Sequence, residues 1–148
     1  MRMEQSTFCY KTGDYYIVLE AGIRSEILAL NRVHPVPFAP DWCVGLAGVR
    51  GELFPVLNMH KILLNRNRPE QPYLLWLKHE QFEPVIIGSD SLPVQMKPTH
   101  SADHSDNDHE RIPGLPGWIH RTRNTDHGVC LEADHGRLLR TLLGRQKR

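Results

Sequence analysis

Apolar residues along this chain come in short runs separated by clusters of Gly, Pro, Asn and Asp, the rhythm of strands joined by tight turns. Residues 15–20, YYIVLE, are aromatic and β-branched, and SEILAL follows after AGIR. The pattern predicts two paired strands turned at Gly22. From Val33 to Pro40, VHPVPFAP places three prolines in eight residues, which fixes an extended connector and forbids a helix. The next stretch, DWCVGLAGVRGELFPVLNM, alternates small and apolar residues, with glycines at 45, 48 and 51 where a strand turns or another backbone approaches. Pro55 within it predicts an edge strand or a strand start.

MHKILL has the length of a helical turn or so, PYLLWLKH and EPVIIGSD read as a hairpin, and LPVQMKP as one more strand. A polar stretch, THSADHSDNDHERIPGLPG, reads as a long exposed loop. WIHRTR, the turn NTDHG and VCLEAD form a last hairpin, and Leu138, Leu139, Leu142 and Leu143 have the spacing of a short amphipathic helix with a basic tail. Many short strands without β-α-β alternation predict an all-β sandwich or barrel, and the layout suits two small barrels followed by a short C-terminal helix.

At 148 residues the chain has the length of a single domain, 1–148, with room for one core or two small fused ones. Lys and Arg number 18 against 17 Asp and Glu, so the net charge of +1 points to no polyanion as partner. Cys9, Cys43 and Cys130 are odd in number and widely spaced, with no CxxC, and read as small buried thiols in a reducing compartment. The N-terminus lacks the apolar core of a signal peptide, and no apolar run approaches the roughly 18 residues needed to span a bilayer. A soluble cytoplasmic protein is expected.

His100, Asp103, His104, Asp106, Asp108 and His109 are residue types that bind zinc, manganese or iron. A metal site needs a rigid scaffold and a second shell, and this segment has few apolar residues to anchor it, so a solvated loop is the favoured reading and no metal or cofactor is expected. No serine lies in a G-x-S-x-G elbow, His79-Glu80 lacks the second histidine of H-E-x-x-H, and GLAGVRG lacks the Lys-Ser/Thr of a phosphate loop. No enzyme chemistry is legible. The late basic residues, Arg121, Arg123, Arg137, Arg140, Arg145, Lys147 and Arg148, are diluted by Asp126, Glu132 and Asp134, which disfavours nucleic acid. Arg50, between Val49 and Gly51 in a turn joining two apolar runs, has two readings: a surface arginine snorkelling over apolar neighbours, or an anchor for a partner.

The stretch VHPVPFAPDWCVGLAGVRGELFPVLNM resembles the coupling proteins of bacterial chemotaxis, the CheW-like domain family. Pro37 and Pro40 match the family's connector, and Gly45, Val49, Arg50, Gly51, Pro55 and Val56 match its N-L-R-G signature. Gly48 stands where the family usually has asparagine, and Asn58 where it usually has aspartate. The resemblance implies two five-stranded SH3-like barrels packed on one another and intertwined within one domain, no active site, and a scaffold role. Its implied partners are the regulatory domain of a CheA-type histidine kinase and the tip of a methyl-accepting receptor, taken in the groove between barrels, with the protein associated with membrane-bound receptor arrays but not inserted. The implied partner-binding residues are Gly45, Leu46, Val49, Arg50, Gly51 and Glu52. In style the sequence is similar to members serving type IV pilus (PilI-like) twitching signalling.

Overall fold

The structure, a computed structural model, describes residues 7–28, 32–67, 71–96, 114–125 and 128–144. The described residues open with β1 (Thr7–Thr12) and β2 (Tyr15–Val18), then β3 (Arg24–Leu28), β4 (Val33–His34), β5 (Cys43–Val49) and β6 (Glu52–Leu57). The helix α1 (Met59–Leu64) leads to β7 (Tyr73–Lys78), β8 (Val85–Ser89) and β9 (Val94–Met96), and the chain closes with β10 (Ile119–Thr125), β11 (Gly128–Ala133) and α2 (His135–Leu143). One sheet has the order β10-β11-β2-β1-β9 and the other β3-β7-β8-β6-β5-β4. The chain thus starts in the first sheet, builds the whole of the second, and returns to finish the first. This is the expected two-unit β architecture with a short C-terminal helix; the two-residue β4 gives the second sheet its sixth strand.

Two local expectations are corrected. The expected pairing of YYIVLE with SEILAL is not found among the described residues: β2 pairs with β1 and, in parallel, with β11, whereas β3 pairs with β7 in the other sheet. The turn between them, where the Ile23 N–H donates to the Glu20 carbonyl at 3.1 Å, carries the chain from one sheet to the other. Both edges of β2 are already occupied, so β3 has no place beside it. Nor is β6 an edge strand, since it pairs with β5 on one side and β8 on the other. The β8 ladder holds only Val56 and Leu57, so it begins one residue past Pro55 and asks nothing of the proline's missing N–H.

The largest core cluster joins the sheets and both helices: Tyr10, Ile17 and Leu131 from the first sheet, Leu57, Leu75 and Ile87 from the second, with Met59, Leu63, Leu138 and Leu139 from the helices. Strand alternation sends the other side chains to a second face on each sheet, where Cys9, Met96 and Cys130 cluster on one and Ala47, Val49, Val56 and Ile86 on the other. The cysteines are free; Cys9 and Cys130 are buried and Cys43 half-buried.

Each helix is short and depends on its caps. The Asn58 side chain accepts from the Lys61 N–H at 3.2 Å, and the Asp134 side chain from the Arg137 N–H at 3.0 Å, which satisfies donors the helices leave open. Asparagine caps about as well as aspartate, so Asn58 keeps the local structure.

Candidate interaction surface

The β5–β6 hairpin turns on two residues, Arg50 with φ 50° and Gly51 with φ 84°. Two positive φ values in succession are the mark of a type I′ turn, whose twist matches that of the flanking strands. Glycine takes such a conformation freely, while an arginine there carries a cost of roughly 1–2 kcal/mol. What holds the arginine is visible from the opposite end of the sheet. Its Nη2 donates to Glu26 Oε1 at 2.5 Å, and Glu26 lies on β3, four strands away in the hydrogen-bonded order. The sheet must therefore curl until its ends approach, and the enclosed face is the cluster of Ala47, Val49, Val56 and Ile86, against which Leu28 and Trp76 pack. The ion pair sits at the mouth of this curl, with Arg50 65% and Glu26 43% exposed. At that exposure it is worth about 0–1 kcal/mol, so closure comes mainly from the apolar packing behind it.

The six residues singled out from the sequence divide by depth. Arg50, Gly51 and Glu52 are exposed at the corner, Leu46 is half-buried, and Gly45 and Val49 are buried. Val49 packs inward and supports the turn from below. Gly45, with φ 156°, lies under β4 so closely that a Cβ there would meet the His34 carbonyl oxygen at 2.3 Å. Gly48 is under no such constraint: a Cβ would meet Leu53 Cδ2 at 3.7 Å and the Glu52 carbonyl oxygen at 3.8 Å, both ordinary van der Waals contacts. Glu26 and the exposed Leu53 were not among the sequence-derived residues. The one local signal for Glu26 was a carboxylate two residues before Leu28, which packs against the apolar cluster; its register partner Trp76 is known only from the folded sheet.

At the other end of β5, about 20 Å from the corner by strand rise, a groove of about 470 Å³ runs between α1 and α2. Trp42, Ile62, Trp118, Leu138 and Leu142 make its apolar walls, and Asp41, Lys61 and Arg137 its charged ones.

Two histidine networks lie inside. His135 Nδ1 is 2.5 Å from Glu20 Oε1, its backbone N–H donates to Glu20 Oε2 at 2.8 Å, and its Nε2 is 2.9 Å from the Tyr10 hydroxyl. Burial pushes the Glu20 carboxyl up, but the hydrogen bonds and charge of His135 outweigh it and leave the group below its ordinary value. Burial, with the Glu20 charge behind it, holds the Tyr10 hydroxyl well above its own. His60 Nε2 meets Asp90 Oδ2 at 2.8 Å, and Asp90 also accepts from the Gly13 N–H at 2.6 Å and Gln71 Nε2 at 2.9 Å. These donors more than offset burial and lower the Asp90 carboxyl. With Tyr10, His60 and His135 at most 2% exposed, both networks act as ties, the first fastening the start of α2 to the β2–β3 turn.

Among the described residues no three His, Cys, Asp or Glu side chains gather to hold a metal; residues 100–109 lie outside them. Arg121 and Arg123 face Glu132 at 3.7 and 3.0 Å, which spends part of the basic charge, and Arg145, Lys147 and Arg148 lie outside the described residues. No helix among the described residues is long and apolar enough to cross a membrane.

Comparison with known proteins follows the same lines. Residues 8–96, more than half of the chain, match the CheW-like domain. Over 62 residues, 42% of this chain, the sequence is 34% identical to Protein FrzA of Myxococcus xanthus; the matched stretch spans only 39% of that protein. In three dimensions the chain is similar to the scaffolding protein TtCheW from Thermoanaerobacter tengcongensis, with a TM-score of 0.62 over 89% of this chain and 90% of the other. At 12% identity that likeness speaks for the fold alone.

Proposed function

This chain belongs to the CheW-like domain family, and we propose that it is a non-catalytic adaptor coupling methyl-accepting receptors to a CheA-type histidine kinase in chemotaxis-type signalling. The family itself supports a coupling scaffold. The observation that carries the finer reading is the Arg50 corner: a cation held in a costly backbone conformation, 65% exposed, at the tip of a hairpin braced by a packed cluster. A rigid tip gives up little entropy on docking, and arginine is among the residue types enriched as interface anchors. We assign Arg50, Gly51 and Glu52 to the contact, Leu46 to its edge, and Gly45 and Val49 to its support.

The style of the sequence, similar to members serving type IV pilus signalling, favours twitching motility as the output. Phosphoryl chemistry belongs to the kinase in this reading, which needs no cofactor and places the adaptor in the cytoplasm at the receptor array. Titration of the kinase regulatory domain by calorimetry, with wild type and Arg50→Glu in parallel, tests it. Micromolar binding that weakens at least tenfold in the variant is expected; equal binding by both removes the corner from the interface.

A further inference from the structure

Phe38 is anomalous in two independent ways. Its side chain is 104% exposed, so it makes no packing contact with its own chain, and its φ is 65°. The turn Val36–Ala39 is closed by the Ala39 N–H donating to the Val36 carbonyl at 3.2 Å, with Pro37 second and Phe38 third. The third place of such a turn, at positive φ, suits glycine or asparagine. Neither packing nor backbone preference accounts for a phenylalanine there. Val36 beside it is 39% exposed, and Pro35, Pro37 and Pro40 stiffen the tip, so little freedom would be lost when it docks.

A receiving site lies on the same surface. Asp41 and Trp42 line the groove between α1 and α2, and three residues of chain span at most about 11 Å, so the tip stands beside the groove's rim. The groove's 470 Å³ is ample for a phenyl ring, since an apolar cavity of about 150 Å³ admits benzene. Two tryptophans, Trp42 and Trp118, are among its lining, a surface that suits an aromatic ring. Its charges choose the occupant. Among the described residues neither Asp41 nor Lys61 has an ion-pair partner, and Arg137 spends its Nη1 on the Gly117 carbonyl. A rim bearing open charges of both signs is complementary to a copy of itself. A knob and a hole on one face are also what a two-fold interface requires, because each copy then supplies both.

We propose that two copies of this chain pair about a two-fold axis, each seating Phe38 in the other's groove between α1 and α2, with each Asp41 turned toward the Lys61 and Arg137 of the other copy. The pairing leaves free the Arg50 corner at the far end of β5, where the kinase contact is tested, and so can fail or hold independently of that test.

Sedimentation velocity of the full chain, from low micromolar to submillimolar concentration, tests it. The wild type is expected to pass from monomer to dimer. Phe38→Asn should weaken association at least tenfold without lowering the melting temperature, because asparagine suits the turn and no internal contact is lost. Thr141→Arg, at an exposed helix position lining the groove, should also be monomeric. Mixing the two variants leaves one intact knob and one intact groove, and should restore a heterodimer. A wild type monomeric at every concentration, a Phe38→Asn variant that pairs like wild type, or a mass growing past the dimer overturns the proposal.

Discussion

Replacing Arg50 by asparagine separates the structural from the binding role of the corner. The substitution removes the ion pair to Glu26, which at 65% and 43% exposure contributes about 0–1 kcal/mol. It also creates Asn-Gly, the pair best suited to a type I′ turn, and relieves an arginine held at φ 50° of a cost of roughly 1 kcal/mol. The two effects nearly cancel, so urea denaturation should give a stability within about 1 kcal/mol of wild type, with an unchanged m-value. Binding should respond differently. An anchoring arginine is worth about 2 kcal/mol or more on truncation, so the calorimetric Kd for the kinase regulatory domain should rise roughly 30-fold. A loss of several kcal/mol in stability would mean that the pair holds the curled sheet shut, and the reasoning about its exposure would be wrong. Unchanged stability with unchanged affinity would instead refute the assignment of the corner as a docking point.

Gly45→Ala should be severely destabilising, by about 2–4 kcal/mol in chemical denaturation, because the added Cβ must move β4 away from the 2.3 Å approach at the His34 carbonyl; a mild effect would show that the connector yields easily. Gly48→Asn, by contrast, should fold normally and gain up to about 0.5 kcal/mol from the stiffer unfolded chain, since the new Cβ meets Leu53 and the Glu52 carbonyl oxygen at ordinary contact distance. Acid titration should weaken the protein through Glu20 and Asp90. Both carboxyls are lowered in the folded state, so their contribution is present above the ordinary carboxylate range and is lost as pH falls through their folded values. In Glu20→Gln the stability profile on the acid side should be flatter than in wild type; an identical slope would mean that His135 does not hold the carboxylate.

Local patterning along the chain dictated the kinds of element and many of their limits. The apolar runs Tyr73–Lys78 and Val85–Ser89, the closing strand pair Ile119–Thr125 and Gly128–Ala133, the helical spacing of the last leucines and the turn at Arg50-Gly51 are written locally, since each depends on neighbours a few residues away. The signature around Gly45, Val49, Arg50 and Gly51 was legible for the same reason, and so was the family. Partnership was not. A strand's pattern states which face is apolar and leaves open which edge will accept it, so the placement of β2 against β11 and of β3 against β7 was settled by filling two sheets at once. The pairing of Arg50 with Glu26, the closeness of Gly45 to His34 and the groove between helices that start 76 residues apart, at Met59 and His135, arise only when the second sheet curls and the chain returns to the first. Tertiary packing also left Phe38 in the open: the prolines around it announced a rigid connector, while its exposure and its positive φ exist only in the folded chain. Local chemistry chose the elements, and the requirement that every apolar face find cover chose their neighbours.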